Sequence, residues 1–326
     1  MTAFKDCGAV VKPFRDIPAG NLKSYSLPDQ MASHGYVLIR DLLPSGDLER
    51  LLAGIAQIVS EAGWLIPGHD ILERVANPSA ACGDPDPSFK RVYEQVFSLE
   101  SFHAMAHHPA LRQVMELLVG PRVLVHPKSI GRLIFPKSER FLVHAHQDHR
   151  GIGGDAESFT AWMPLHDCPA ELGPLQILEA SHRFGLQNTG SERGFLPVNM
   201  ARGSGWVGGP LNAGDVLIFH SLTVHAATPN VSDRVRISLD CRFQDYRRAI
   251  NPAALVFPGS EAGGRSWIKT YAGWHSGELQ YFWKRLPLRF EPSRLELAEL
   301  AETAEPPEMR ARYARILSQL DSQMPR

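Results

Sequence analysis

Cysteine is scarce in this chain of 326 residues, neither charge sign is in surplus, and long apolar runs are missing; each shortage removes a class of function. The four cysteines, Cys7, Cys82, Cys168 and Cys241, lie far apart and form no C-x-x-C pair. A disulfide framework and a thiolate zinc site are therefore not expected, and a reducing cytoplasm is the default location. Lys and Arg number 34 against 35 Asp and Glu, a formal net charge of −1. With no basic excess and no charged block, nucleic acid is not an expected partner. No stretch of about 18 apolar residues occurs, so no membrane span is expected. Met1–Val10 carries Lys5 and Asp6 rather than the apolar run of a signal peptide. The partner class left is a small-molecule substrate. No heptad or interface stripe indicates an oligomeric state.

What is present is a 44% hydrophobic content, enough for a sizeable core, and its period changes along the chain. Residues 1–30 read as irregular, with Pro13, Pro18 and Pro28. Gly35–Ile39 reads as a short strand. Pro44–Glu61 reads as a helix, because Leu48, Leu51, Leu52, Ile55 and Val59 recur on one face. Residues 63–90 are rich in Gly, Pro and Asp and read as an excursion or lid. Pro109–Val119 reads as a second helix, ended by Gly120-Pro121. From about residue 121 short apolar runs alternate with turn residues: Val123–Val125, Arg132–Phe135, Phe141–His146, Phe159–Leu165, Leu175–Leu178, Val216–Phe219 and Val235–Phe243. That spacing predicts a barrel or jelly roll rather than βαβ units. The loop from Phe184 to Asn212 holds seven glycines, and a loop that long is a second lid candidate. Residues 292–320 read as helical, broken at Pro306-Pro307. Helices, then strands, then helices predict one α+β domain over 1–326, with a helical layer at about 30–120, a β core at about 121–245 and a C-terminal extension at 246–326.

The chemistry centres on His144-Ala-His-Gln-Asp148. In a strand, residues two apart share a face about 6.6 Å apart, so His146 and Asp148 converge from one side. An imidazole and a carboxylate so placed are two thirds of a facial 2-His-1-carboxylate site, which holds non-haem Fe(II) and leaves positions open. His144 shares that face but lies about 13 Å of strand from Asp148, which favours His146 as the ligand. Downstream, Gly214-Asp215 is a turn signal before Val216–Phe219, and then come His220 and His225; either could supply the third ligand. In Arg234-Val-Arg-Ile-Ser-Leu-Asp240, Arg236, Ser238 and Asp240 share one face. Buried polar groups on that face need partners, and a carboxylate-bearing ligand would give Arg236 one; Asp240 or Asp215 could also pair with it.

His146-Gln-Asp148, Trp162-Met-Pro-Leu165, Gly173-Pro-Leu175, Ser181-His-Arg183, Gly214–Phe219 and His225-x10-Arg236 occur in one order over about residues 30–245. In this the chain resembles the phytanoyl-CoA dioxygenase family, Fe(II)- and 2-oxoglutarate-dependent oxygenases on a double-stranded β-helix (a jelly-roll, cupin-like core). The resemblance implies that His146, Asp148 and His225 bind iron, and that Arg236, with Ser238 beside it, grips the distal carboxylate of 2-oxoglutarate. It implies that Trp162 lines the cofactor pocket and that Arg91 stands where the family has a lysine near the cofactor. Ala227 departs from members with a polar residue at that place and removes one hydrogen bond to the cofactor. His220 and His182 are then read as structural. His144, His149, Arg150 and Trp206 are the candidates for substrate contact. Related halogenases carry a small residue in the place of Asp148, so a carboxylate there implies hydroxylation or another oxidation. O2 is the remaining co-substrate, succinate and CO2 the expected by-products, and a natural-product or amino-acid-like metabolite the expected substrate. The alternatives are a cupin-like metal enzyme that does not use 2-oxoglutarate, against which Arg236 speaks, and a non-catalytic ligand-binding barrel.

Overall fold

The computed structural model describes residues 11–188, 195–197, 201–257 and 266–323. Cys7, the Met1–Val10 segment and part of the long glycine-rich loop, including Gly190 and Gly194, lie outside them. The strands are β1 (Lys12–Pro13), β2 (Asp16–Pro18), β3 (Tyr36–Arg40), β4 (Val123–Val125), β5 (Ile130–Ile134), β6 (His146–Gln147), β7 (Ser158–Pro164), β8 (Leu175–Leu178), β9 (Trp206–Gly208), β10 (Val216–His220), β11 (Val224–Ala227) and β12 (Arg236–Asp245), followed by a short pair, β13 (Ala249–Ile250) and β14 (Arg289–Phe290). They build a larger sheet in the order β2-β3-β10-β7-β12-β4, with β5 also on β12, and a smaller one in the order β1-β9-β8-β11-β6.

Side-chain alternation gives each sheet an inner and an outer face. Along β12, Ile237, Leu239, Cys241 and Phe243 join the main core beneath the helices. Arg236, Ser238, Asp240 and Arg242 point the other way. A second apolar cluster fills the space between the sheets, with Trp162, Leu217 and Phe219 from the larger sheet meeting Leu175, Ile177 and Val207 from the smaller. The polar face of β12 therefore turns towards the smaller sheet.

The helices are α1 (Leu27–His34), α2 (Ser45–Glu61), α3 (Pro87–Phe97), α4 (Glu100–Ala104), α5 (Pro109–Val119), α6 (His149–Ile152), α7 (Trp267–Tyr271), α8 (Arg294–Thr303) and α9 (Pro307–Gln323). As its stripe predicts, α2 buries Leu48, Leu51, Leu52, Ile55 and Val59. The break between α8 and α9 falls at the expected prolines. Among the described residues no helix is long and apolar enough to cross a membrane.

Three expectations need correction. Residues 1–30 were expected to be irregular, but within them the chain forms β1, β2 and the start of α1, where the Ser26 side chain accepts from the Asp29 N–H and Pro28 sits in the first turn. The excursion over 63–90 ends in a helix, because Pro87 sits in the first turn of α3 and Phe89, Val92, Val96 and Phe97 form its buried stripe. The strand expected over Phe141–His146 shrinks to His146–Gln147. Phe141 closes a 3-10 turn and its ring lies against the backbone of Gly83, where a Cβ would meet it at 2.4 Å. Leu142 and Val143 lean together on the inter-sheet cluster instead of alternating across a pleat.

Candidate metal centre

β6 and β11 pair antiparallel, with His146 opposite His225. That register brings the two rings together, tilted by 52° with centroids 4.2 Å apart. After Gln147 the chain leaves the strand, and Asp148 takes helical angles as the N-cap of α6. The carboxylate thus joins the histidines through a strand-to-helix turn, not through continued pleating. His146 Nε2 lies 3.6 Å and His225 Nε2 3.8 Å from Asp148 Oδ1. The ligand atoms of the three residues lie within 4.8 Å of one another.

The hydrogen bonds around the group fix which atoms face inward. His146 Nδ1–H donates to the His144 carbonyl at 2.8 Å, and His225 Nδ1–H to the Thr223 carbonyl at 3.0 Å. A carbonyl only accepts, so each Nδ1 carries the proton and each Nε2 keeps its lone pair for a metal. Thr160 Oγ1 donates to Asp148 Oδ2 at 2.6 Å, which leaves Oδ1 turned to the histidines. Burial, and then the neighbouring His146, push the His225 pKa down to about 3, keeping that ring neutral. For Asp148, burial opposes ionisation. The Arg242 guanidinium is the first of the causes that overcome it, with the two histidines beside the carboxylate, and the carboxyl is held well below its usual range.

Arg236 is 1% exposed at the other end of the same inward face. One Nη donates to the Gly173 carbonyl, while its Nε, Ser238 Oγ and Trp162 Nε1 are buried without a partner. The carboxylates that might have neutralised Arg236 are engaged elsewhere. Asp240 bonds Arg132 at 2.9 Å, and Asp215 bonds Arg40 at 2.6 Å. A buried guanidinium with no carboxylate of its own is costly and fits an anionic ligand.

Not every candidate joins this group. Arg91 lies exposed on α3, turned away from that helix's buried stripe, so it does not stand where a cofactor lysine would. Trp206 packs on the outer side of the smaller sheet with Leu178, Leu196, Val224 and Ala226; it anchors the long loop rather than facing the cavity. Arg150 is exposed and donates to the Gln187 carbonyl at 2.9 Å, tying α6 to that loop. His149 is half-buried, with its pKa lowered by burial and by His220. His220 belongs to the outward face of β10 and lies 3.4 Å from Glu157 and 5.5 Å, ring to ring, from His182. His144 offers its carbonyl to His146, and its ring meets Phe195 edge-on at 5.3 Å.

Three neighbours had escaped the reading of the sequence. Phe195, from the long loop, stands edge-on to His146 at 6.4 Å, and no local pattern marks it. Arg132 and Arg242 were recoverable from alternation: Arg132 pairs in register with Ser238, and Arg242 continues the even positions of β12, with its Nη2 3.6 Å from Asp148 Oδ1.

A family model described as phytanoyl-CoA dioxygenase (PhyH) matches residues 31–238. The chain belongs to that family. It is an oxygenase of the phytanoyl-CoA dioxygenase type, with a His-Asp-His group fit for iron. Its relatives include two proteins named 1-deoxypentalenic acid 11-beta-hydroxylase. The one from Streptomyces exfoliatus is 29% identical over 65% of this chain and 77% of its own length. The one from Streptomyces arenae is 27% identical over the same shares. Among solved structures, the epimerase SnoN in complex with Fe3+, alpha ketoglutarate and nogalamycin RO aligns at TM-score 0.53 and 21% identity, covering 72% of this chain and 90% of that one. The non-heme monooxygenase ThoJ aligns at TM-score 0.51 and 21% identity, covering 69% and 79%. At such identities these matches speak for a shared fold in this phytanoyl-CoA dioxygenase family member.

Proposed function

We propose that the protein is an Fe(II)- and 2-oxoglutarate-dependent hydroxylase of a small organic molecule. The observation that carries the reading is the pair of inward Nε2 lone pairs beside Asp148 Oδ1, together with the partnerless Arg236 Nε at the far end of the same cavity. The two facing sheets are read as a double-stranded β-helix. In this reading His146, Asp148 and His225 hold the metal on one side and leave the opposite side open. Arg236 and Ser238 receive the distal carboxylate of 2-oxoglutarate, and Trp162 Nε1 supplies a further donor. When bound, iron and 2-oxoglutarate supply O2-dependent decarboxylation to succinate and CO2 and the power to oxidise a substrate C–H bond. The chain's part is to hold ligands, fix orientation and keep competing water out. Leu175, Leu217 and Phe219 give the cavity its apolar walls, and Phe195 stands over the ligand histidines.

Asp148 favours hydroxylation over halogenation, because its carboxylate fills the place a halide would need. The names of the Streptomyces relatives support a small carboxylic-acid natural product as the kind of substrate and hydroxylation as the outcome. The test is anaerobic addition of Fe(II) and 2-oxoglutarate. The expected result is a visible charge-transfer band, absent in Asp148→Ala. A folded, iron-loaded protein with no band would instead fit a metal enzyme that does not use 2-oxoglutarate; a folded protein that takes up no iron would fit a non-catalytic barrel.

A further inference from the structure

Charge in the cavity does not balance. Among the described residues, the ligand triad and the inward faces of β5, β7 and β12 carry three guanidiniums, Arg132, Arg236 and Arg242, against two carboxylates, Asp148 and Asp240. Fe(II) and the 2-oxoglutarate dianion have equal and opposite charges, so loading both leaves one positive charge uncompensated. Buried charge without a counter-charge is expensive, and its position shows where the missing anion belongs.

Arg132 is satisfied by Asp240 at 2.9 Å. Arg236 is 1% exposed and lies at the end assigned to 2-oxoglutarate. Arg242 is left. Among the described residues the one carboxylate within 4 Å of it is that of Asp148, at 3.6 Å, beyond hydrogen-bond range. That carboxylate is already committed to Thr160 and to the ligand group. Arg242 Nε is buried without a partner, yet the side chain keeps 13% exposure beside the metal position, so an incoming molecule can reach it.

The guanidinium fork fits a carboxylate in two parallel hydrogen bonds, and a surplus of one charge fits a monoanion better than a phosphate ester. Phe195, edge-on to His144 and His146, offers an apolar surface on the same side as the ligand rings.

We propose that the substrate is a monocarboxylic acid with an apolar body, and that Arg242 receives its carboxylate beside the metal. This deepens the hydroxylase reading and rests on it. The test uses the anaerobic Fe(II) complex saturated with 2-oxoglutarate, titrated with benzoate and, separately, with benzamide, which has the same shape and no charge. Benzoate is expected to perturb the charge-transfer band with an affinity about tenfold or more above that of benzamide. Arg242→Met erases the preference. Arg242→Lys, which keeps the charge but loses the fork, weakens benzoate while still favouring it over benzamide, and serves if Arg242→Met does not fold. Failure of the band to form refutes the iron and 2-oxoglutarate reading itself. A band that forms but ignores benzoate, or answers both probes alike, or keeps its preference in Arg242→Met, overturns only the carboxylate inference.

Discussion

Thr160→Val is the sharpest probe of how the metal centre is held. Thr160 is fully buried on β7, and its hydroxyl is the donor to Asp148 Oδ2 at 2.6 Å. Valine nearly reproduces the shape and removes only the donor. A hydrogen bond to a charged acceptor contributes about 1.5–3 kcal/mol, and here the carboxylate oxygen left behind belongs to a buried side chain. The metal-free variant should lose stability of that order in urea unfolding. Iron affinity should fall as well, because Oδ2 becomes free to swing and Oδ1 is no longer turned towards the histidines. Partners that orient metal ligands typically account for about 10–100-fold in affinity. The assay is anaerobic competition for Fe(II) against a chromophoric chelator. Thr160→Ser, which restores the hydroxyl, should return most of both losses. Wild-type iron affinity in Thr160→Val would refute the argument, since it would mean that the turn into α6 alone orients the carboxylate.

Other consequences are open to simpler measurement. Arg236→Met should weaken 2-oxoglutarate by about 100-fold or more, as expected for truncating one side of a buried charged pair, while Fe(II) affinity stays near wild type; titration of the charge-transfer band measures the first. Gly173→Ala should destabilise the fold by about 1–3 kcal/mol, because Gly173 has φ +76 and a Cβ there would sit 2.4 Å from the Thr228 carbonyl oxygen; 2-oxoglutarate binding should weaken in parallel, since the Gly173 carbonyl is what Arg236 grips. His103 is packed among Phe97, Phe102 and Trp274, and burial lowers its pKa to about 4 from 6.5. With the folded value below the unfolded one, its contribution is complete above pH 6.5 and is lost as pH falls towards 4, by up to about 3 kcal/mol. His103→Gln should therefore flatten the pH dependence of the urea midpoint over that window, and an unchanged slope would contradict it.

Where the fold was legible, one physical signal sufficed. The stripe on α2 states which side is buried, the alternation on β12 separates an apolar from a polar face, and the structure follows both. The signal failed where tertiary contact decides. Phe141, Leu142 and Val143 have the composition of a strand, but Phe141 is claimed by Gly83 in the preceding excursion. The helix α3 hides behind Gly83, Pro85 and Pro87, although its stripe begins two residues after the last proline. The site divides in the same way. Spacing and resemblance brought out His146, Asp148, His225 and Arg236. Arg91 was assigned by loose position on a helix, and a helix has an outward face for every inward one. Trp206 was placed by its glycine-rich setting, yet the pleat turns it outward while its neighbour Val207 points in.

The arrangement of hydrogen bonds implies that the centre is assembled before any metal arrives. Each histidine is locked by a carbonyl two residues earlier, just before its own strand, and Asp148 by a hydroxyl of the opposite sheet; none of these bonds needs an ion. A site built this way spends little of the binding energy on ordering its ligands, unlike metal domains whose folding depends on the ion. The cost appears elsewhere, in partnerless atoms on Trp162, Arg236, Ser238, Asp240 and Arg242. In the proposed reading the donors among them find their partners in the ligands: an anion at Arg236, beside a cation at the triad, and, on the further inference above, a second anion at Arg242.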